Sequence, residues 1–68
     1  MDNTFKIIEL VGTSEKSYEE AIQNAVSKAS QSLKALGWFE VIQMRGAISG
    51  GEVKEYQAII KVGFKLVN

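Results

Sequence analysis

The 68-residue sequence contains no histidine and no cysteine. Those side chains supply most general bases near neutral pH, activated thiols and structural zinc ligands, and no nucleophile stands beside a base in a recognisable arrangement. What remains for chemistry is stacking, hydrogen bonding and charge. Trp38, the only tryptophan, follows a glycine in Leu36-Gly37-Trp38-Phe39-Glu40-Val41; an indole offers a broad polarizable face that stacks offset on a flat heteroaromatic ring. Gln57 carries a carboxamide with both donor and acceptor. Taken alone, one indole and one carboxamide are a weak signal for a ligand site. Gly12-Thr13-Ser14 ahead of a helix offers backbone N–H groups to an anion, but it lacks the glycine pattern and the lysine of a P-loop, which favours turn and cap chemistry. Glu19 and Glu20, adjacent in a first helical turn and pointing in different directions, suit a solvated, dipole-favoured face better than acid–base work or metal binding. Met44 suits packing at an interface.

The elements that must position these residues follow from periodicity. Thr4 to Val11 (TFKIIELV) combines β-branched and aromatic residues with partial alternation and reads as a strand closed by Gly12. Ser17 followed by Glu20 is a capping box: the hydroxyl accepts from a free backbone N–H and the glutamate reaches back. Ala21, Ile22, Ala25, Val26, Ala29, Leu33 and Leu36 then recur at helical spacing, with Lys34 in the last turn and Gly37 as the left-handed stop. Trp38 to Ile48 and Glu52 to Val67 read as two further strands joined through Ser49-Gly50-Gly51-Glu52, a primed-turn hairpin. The fold class expected is α+β: a β-α-β-β unit with one helix across a three-stranded antiparallel sheet of order 1-3-2.

If Gly50 and Gly51 are the loop, opposed hairpin residues have numbers summing to 101. Phe39 then meets Val62 and Val41 meets Ile60 on the helix side, continued by Phe64 and Leu66. Trp38 falls on the other side with Ile42 opposite Ile59 and Met44 opposite Gln57, along with Lys61, Gly63 and Lys65. Arg45 falls on the helix side. One helix covers one face, so the Trp38 face is left as an apolar patch, and self-association is expected from it; the alternative is a bulge that turns Trp38 into the core. Trp38 and Gln57 are separated by roughly 20 Å along the strands, so a small aromatic ligand touching both must lie between subunits.

Composition agrees with a partner-dependent domain. Residues 1–68 are read as a single domain without repeat, linker or low-complexity segment, 46% apolar and 24% charged. A chain of this size buries only about 60% of its unfolded surface and needs extra support, here from oligomerisation or a ligand. Eight basic and eight acidic side chains cancel, so no net field draws it to nucleic acid or an anionic membrane. With neither a signal peptide nor an apolar span of membrane length, a cytoplasmic location is expected.

The residues IELVGTS at 8–14, SYEEAI at 17–22, LGWFEV at 36–41, RG at 45–46 and YQAIIKVGFKL at 56–66 resemble the dodecins, small flavin-binding proteins, nearly end to end. The resemblance implies a β-α-β-β subunit whose sheet wraps the helix, assembled as a hollow homododecamer of 23 symmetry. It further implies flavin sites on two-fold axes, with two isoalloxazines stacked between symmetry-related tryptophans. By that resemblance Trp38 is the stacking residue and Gln57 hydrogen-bonds the ring edge. Bacterial members are associated with FMN and some with coenzyme A; Arg45 matches the family's arginine, and Lys65 stands where many members have arginine. Lysine presents a point charge where arginine makes a bidentate fork. For Arg45 an interface ion pair with Glu40, Glu52 or Glu55 of another chain is an equal reading. Tyr18 stands where an aromatic is usual and reads as packing.

The function expected is storage and sequestration of FMN, riboflavin or another flavin, with Trp38 as stacker and electron donor that quenches the excited state, Gln57 as orienter, and Arg45 and Lys65 as phosphate partners. The chain itself is not expected to be an enzyme. Two rivals are a flavoenzyme with substrate turnover and a ligand-free structural oligomer.

Overall fold

In the computed structural model, which describes residues 3–66, strand β1 (Phe5–Ser14) leads into helix α1 (Tyr18–Ser30) and then into a long hairpin, β2 (Leu36–Ser49) and β3 (Glu52–Lys65). The sheet is antiparallel throughout with β3 between β1 and β2, the expected order 1-3-2. Val67, the expected end of the last strand, lies outside the described residues.

Gly12 does not close the first strand. Pairing continues through Gly12↔Ala58 and Thr13↔Gln57 to Ser14↔Tyr56, because β3 is long enough to keep offering partners. The glycine instead makes room for the helix: a Cβ on it would lie 2.0 Å from the Ala21 carbonyl oxygen and 2.9 Å from Ala25 Cβ. Ala21, Ala25 and Ala29 are the buried residues of α1, and the first two pack with Ala58, Ile60 and Val62 as the core. Small side chains on both surfaces set this close approach.

The turn into α1 is built on Ser14. Its buried hydroxyl donates to Glu20 Oε1 (2.6 Å) and accepts from the backbone N–H groups of Lys16 (2.9 Å) and Ser17 (3.3 Å). Ser17 caps the helix, accepting from the Glu20 N–H at 3.0 Å, a contact of about 1 kcal/mol. The capping box is therefore half as expected. Glu20 binds Ser14 in place of the Ser17 N–H, and it is half-buried where a solvated carboxylate was expected.

The helix ends six residues before the expected Leu36. The N–H groups of Ser32 and Leu33 both turn back to the Ala29 carbonyl, and the left-handed residue is Ala35 (φ 60°), not Gly37. Residues 31–35 are needed to carry the chain from the helix end over the sheet, where the Ala35 carbonyl accepts from the Lys65 N–H. Lys28, not Lys34, therefore occupies the last helical turn.

The Gly50-Gly51 turn has φ 60° and 78°, as a primed hairpin requires. The register has bulges the sequence reading did not contain. Opposed numbers sum to 101 at Ser49↔Glu52 and Ile48↔Val53, to 102 from Ala47↔Glu55 to Gln43↔Ile59, and to 101 again from Val41↔Ile60 to Trp38↔Gly63. Lys54 on β3 and Ile42 on β2 are the extra residues; a third irregularity falls at Gly37. Between the first two, every β2 residue changes face.

α1 packs against β1 and β3 and leaves β2 beyond its edge. Phe39 and Val41 are on the helix side as expected, but they stay 48% and 36% exposed, and Leu66 past the end of β3 is 49% exposed. An open groove of about 300 Å³ separates α1 from Phe39. The chain is elongated, 54 × 20 × 13 Å, with a radius of gyration of 14.0 Å against about 11 Å for a compact chain of this length. Its accessible surface is 5076 Å², whereas a 7.5 kDa monomer typically shows about 4,250 Å².

Gly12→Ala is expected to destabilise the fold by about 2 kcal/mol or more, since the added methyl meets helix backbone that cannot yield; denaturant unfolding checks this.

Candidate functional site

The uncovered side of the sheet is lined by residues opposed across all three strands: Phe5, Ile7, Glu9, Val11 and Thr13 on β1; Gln57, Ile59, Lys61, Gly63 and Lys65 on β3; Trp38, Glu40, Gln43 and Arg45 on β2. Trp38 lies on this face as expected, despite the bulge at Gly37 beside it. Its ring covers Gly63, where a Cβ would come within 2.3–2.5 Å of three indole atoms. Gly63 is buried by this contact, while Trp38 remains 45% exposed. Phe5 braces the indole edge-on, with ring centroids 5.1 Å apart and planes at 62°. The arrangement holds an indole against a backbone floor between a phenylalanine and solvent. Gly63 was expected on this face but not as the floor of the indole; Phe5 is the support that sequence reasoning missed, because the hairpin turn fixes only the β2–β3 register and nothing equally local fixes β1 against β3.

Gln57 falls at the other end of this face. Trp38 is opposite Gly63, six residues from Gln57 on β3, a separation of roughly 20 Å. The two bulges bring Arg45 opposite Gln57 and put Met44 opposite Ala58, on the helix side. Both expectations are corrected: Arg45 shares the Gln57 face, and Met44 leaves it, staying 52% exposed because α1 does not reach that far along β2. Ile42, expected opposite Ile59, is itself the unpaired bulge residue, and Gln43 takes its place. Arg45 Nε donates to Gln57 Oε1 at 2.9 Å, and Gln57 Nε2 donates to Glu55 Oε1 at 2.9 Å. Arg45 thus reaches Glu55 of its own chain through a carboxamide. The bond uses Nε and leaves the terminal guanidinium nitrogens uncommitted by it.

Lys65 is exposed, opposite Phe5 and two residues beyond Gly63, about 7 Å along the strand. The structure therefore gathers Trp38 and Lys65 at one end of the face and Arg45, Gln57 and Glu55 at the other. Tyr18 packs edge-on against Tyr56, centroids 5.0 Å apart, in the packing role expected of it. Among the described residues no helix is long and apolar enough to cross a membrane, and no three Asp, Glu, His or Cys side chains gather to hold a metal ion.

The Dodecin family model matches residues 4–67. A curated dodecin from Thermus thermophilus is 50% identical over 66 residues, spanning 97% of this chain and 96% of that protein. The protein named calcium dodecin from Mycobacterium tuberculosis is 30% identical over 64 residues, 94% of this chain and 90% of its own length. The structure of dodecin from Streptomyces coelicolor superposes with a TM-score of 0.96 at 45% identity, covering 98% of this chain and 96% of that one. With a matching profile, close relatives and the same strand order and helix placement over nearly its whole length, the chain belongs to the dodecin family.

Proposed function

We propose that this chain assembles into a hollow homododecamer of 23 symmetry that stores and sequesters a flavin, FMN foremost, without turning over a substrate. The observation that carries the reading is the indole of Trp38, pressed on the Gly63 backbone and braced by Phe5, with its remaining surface turned away from its own core. A half-exposed tryptophan on a rigid floor is a stacking platform, and an offset aromatic pair there contributes about 0.5–1.5 kcal/mol beyond area burial.

The residues present fit an isoalloxazine. Trp38 supplies the flat face, and the Gln57 carboxamide supplies a donor and an acceptor for the ring's imide edge. The 20 Å between them is spanned by symmetry, the indole coming from one subunit and the carboxamide from another. Lys65 near the indole and Arg45 beside Gln57 are the cations for the phosphate of FMN. Lys65 brings one ammonium point charge where a fork would bind bidentately, so its contribution is the weaker. The same cations are the ones a coenzyme A phosphate would use. The bound flavin supplies an excited state that an adjacent indole can quench by electron donation; the protein's part is to hold Trp38 in contact and keep the ring face occupied. An occupied face leaves no place for a substrate, which favours storage over a flavoenzyme.

Mixing apoprotein with FMN at micromolar concentration is expected to quench flavin fluorescence, and Trp38→Ala to abolish the quenching. Unchanged fluorescence with the native protein, or full quenching by the variant, would overturn the reading. Gly63→Ala is expected to lift the indole from its floor, shifting tryptophan emission and weakening FMN binding by about tenfold, a loss near 1.4 kcal/mol.

A further inference from the structure

Gln57 is useful as a recognition group only if its two ends are distinguishable, because a carboxamide that turns over exchanges its donor for its acceptor. In this chain the two ends are held by partners of opposite character. On the β2 side Arg45, which can only donate, meets the carbonyl oxygen; on the strand's own side Glu55, which as a carboxylate can only accept, meets the amide nitrogen. Turning the amide over would set donor against donor and acceptor against acceptor. Both contacts are charge-assisted, and Gln57 is half-buried beneath them. The arrangement depends on the bulges: counted from the Gly50-Gly51 turn, the extra residue Lys54 shifts Arg45 opposite Gln57, and Ile42 restores the register toward Trp38. With a constant register Arg45 would oppose Tyr56 on the other face and Gln57 would be held from one side only. Glu55 is two residues from Gln57 on the same strand, so the pair shares a face wherever β3 is regular.

We propose that Glu55 is a positioning residue which, opposed by Arg45, locks the Gln57 carboxamide in one orientation and so fixes the order of donor and acceptor presented to a ligand. This rests on the flavin reading above and deepens it. With one N–H bound by Glu55 and one lone pair taken by Arg45, Gln57 keeps one N–H and one lone pair for the ligand. An edge carrying a ring N–H beside a carbonyl is accepted in one placement. An edge whose N–H is blocked leaves the Gln57 oxygen facing no donor, and it is discriminated against because the amide cannot turn away.

The test compares FMN with N3-methyl FMN, in which the ring N–H is replaced, by fluorescence titration of the assembled protein. The native protein is expected to bind FMN at least about tenfold more tightly than the methylated analogue. Glu55→Ala is expected to bind FMN about tenfold more weakly and to reduce the preference to about threefold or less. Glu55→Gln, which retains an acceptor oxygen at the same reach, is expected to restore the preference. Glu55→Lys, a long polar side chain that offers a donor, is expected to lose it, which covers the case in which the alanine variant fails to assemble. Native protein that binds neither flavin would overturn the flavin reading and this proposal with it. Native binding with an unchanged preference in Glu55→Ala or Glu55→Lys overturns the positioning role alone, as does failure of Glu55→Gln to restore the preference.

Discussion

A 13-residue helix cannot cover a sheet whose hairpin strands each run 14 residues. An α-helix advances about 1.5 Å per residue and a strand about 3.3 Å, so α1 spans less than half the length of β2 and β3. It is also placed over β1 and β3, because Gly12 and the alanine stripe allow the closest approach there. The deficit shapes the rest of the molecule. Ala21, Ala25, Ala29, Ala58, Ile60 and Val62 form the buried apolar core, while among the described residues eleven large apolar side chains remain exposed. Four of the six buried residues are alanines, and a core that small offers little against the entropy of ordering the chain.

The proposed assembly would supply the folding energy that so small a core does not. In the proposed assembly, Phe39, Val41, Ile42, Met44 and Ile48 of β2 are the apolar surface that neighbouring copies would cover. Coupling of this kind makes stability depend on subunit concentration, since whatever binds only the folded chain stabilises it by mass action. The face opposite the helix would serve the proposed function differently, as a platform for a ligand. An indole buried in a monomer core would have no surface left for a guest, whereas Trp38 is fixed from below by Gly63 and from the side by Phe5 and stays open above.

The bulges at Ile42 and Lys54 work as a matched pair. Each alone would turn every residue beyond it to the wrong face; together they exchange faces only for Gln43 to Ala47 and restore the original register at Ile48. The stretch between them carries Arg45 to Gln57. A polar triad on an exposed sheet surface contributes modestly to stability, so its structural consequence is chiefly orientation: the carboxamide between an arginine and a glutamate has one satisfied direction.

The sequence determined the element types, the strand order and the face of Trp38. These rest on local signals: the Ser17 cap, the alanine repeat, and Gly50-Gly51, whose positive φ values close a hairpin in register. The resemblance in IELVGTS, SYEEAI, LGWFEV, RG and YQAIIKVGFKL pointed to the family, and with it to Gln57 and Arg45 as candidate site residues. Three things were decided only by the tertiary structure. The helix stopped at Ser30 because the chain needed residues 31–35 to cross to β2, a demand of topology that no helical periodicity registers. β1 ran past Gly12 because β3 still had partners to offer. Arg45 reached the Gln57 face because two single-residue bulges, each with no composition signature of its own, shifted the pairing between them. A strand's side-chain alternation is set by local geometry, but its register is set by the sum of contacts across the whole sheet, and that sum exists only once the chain has folded.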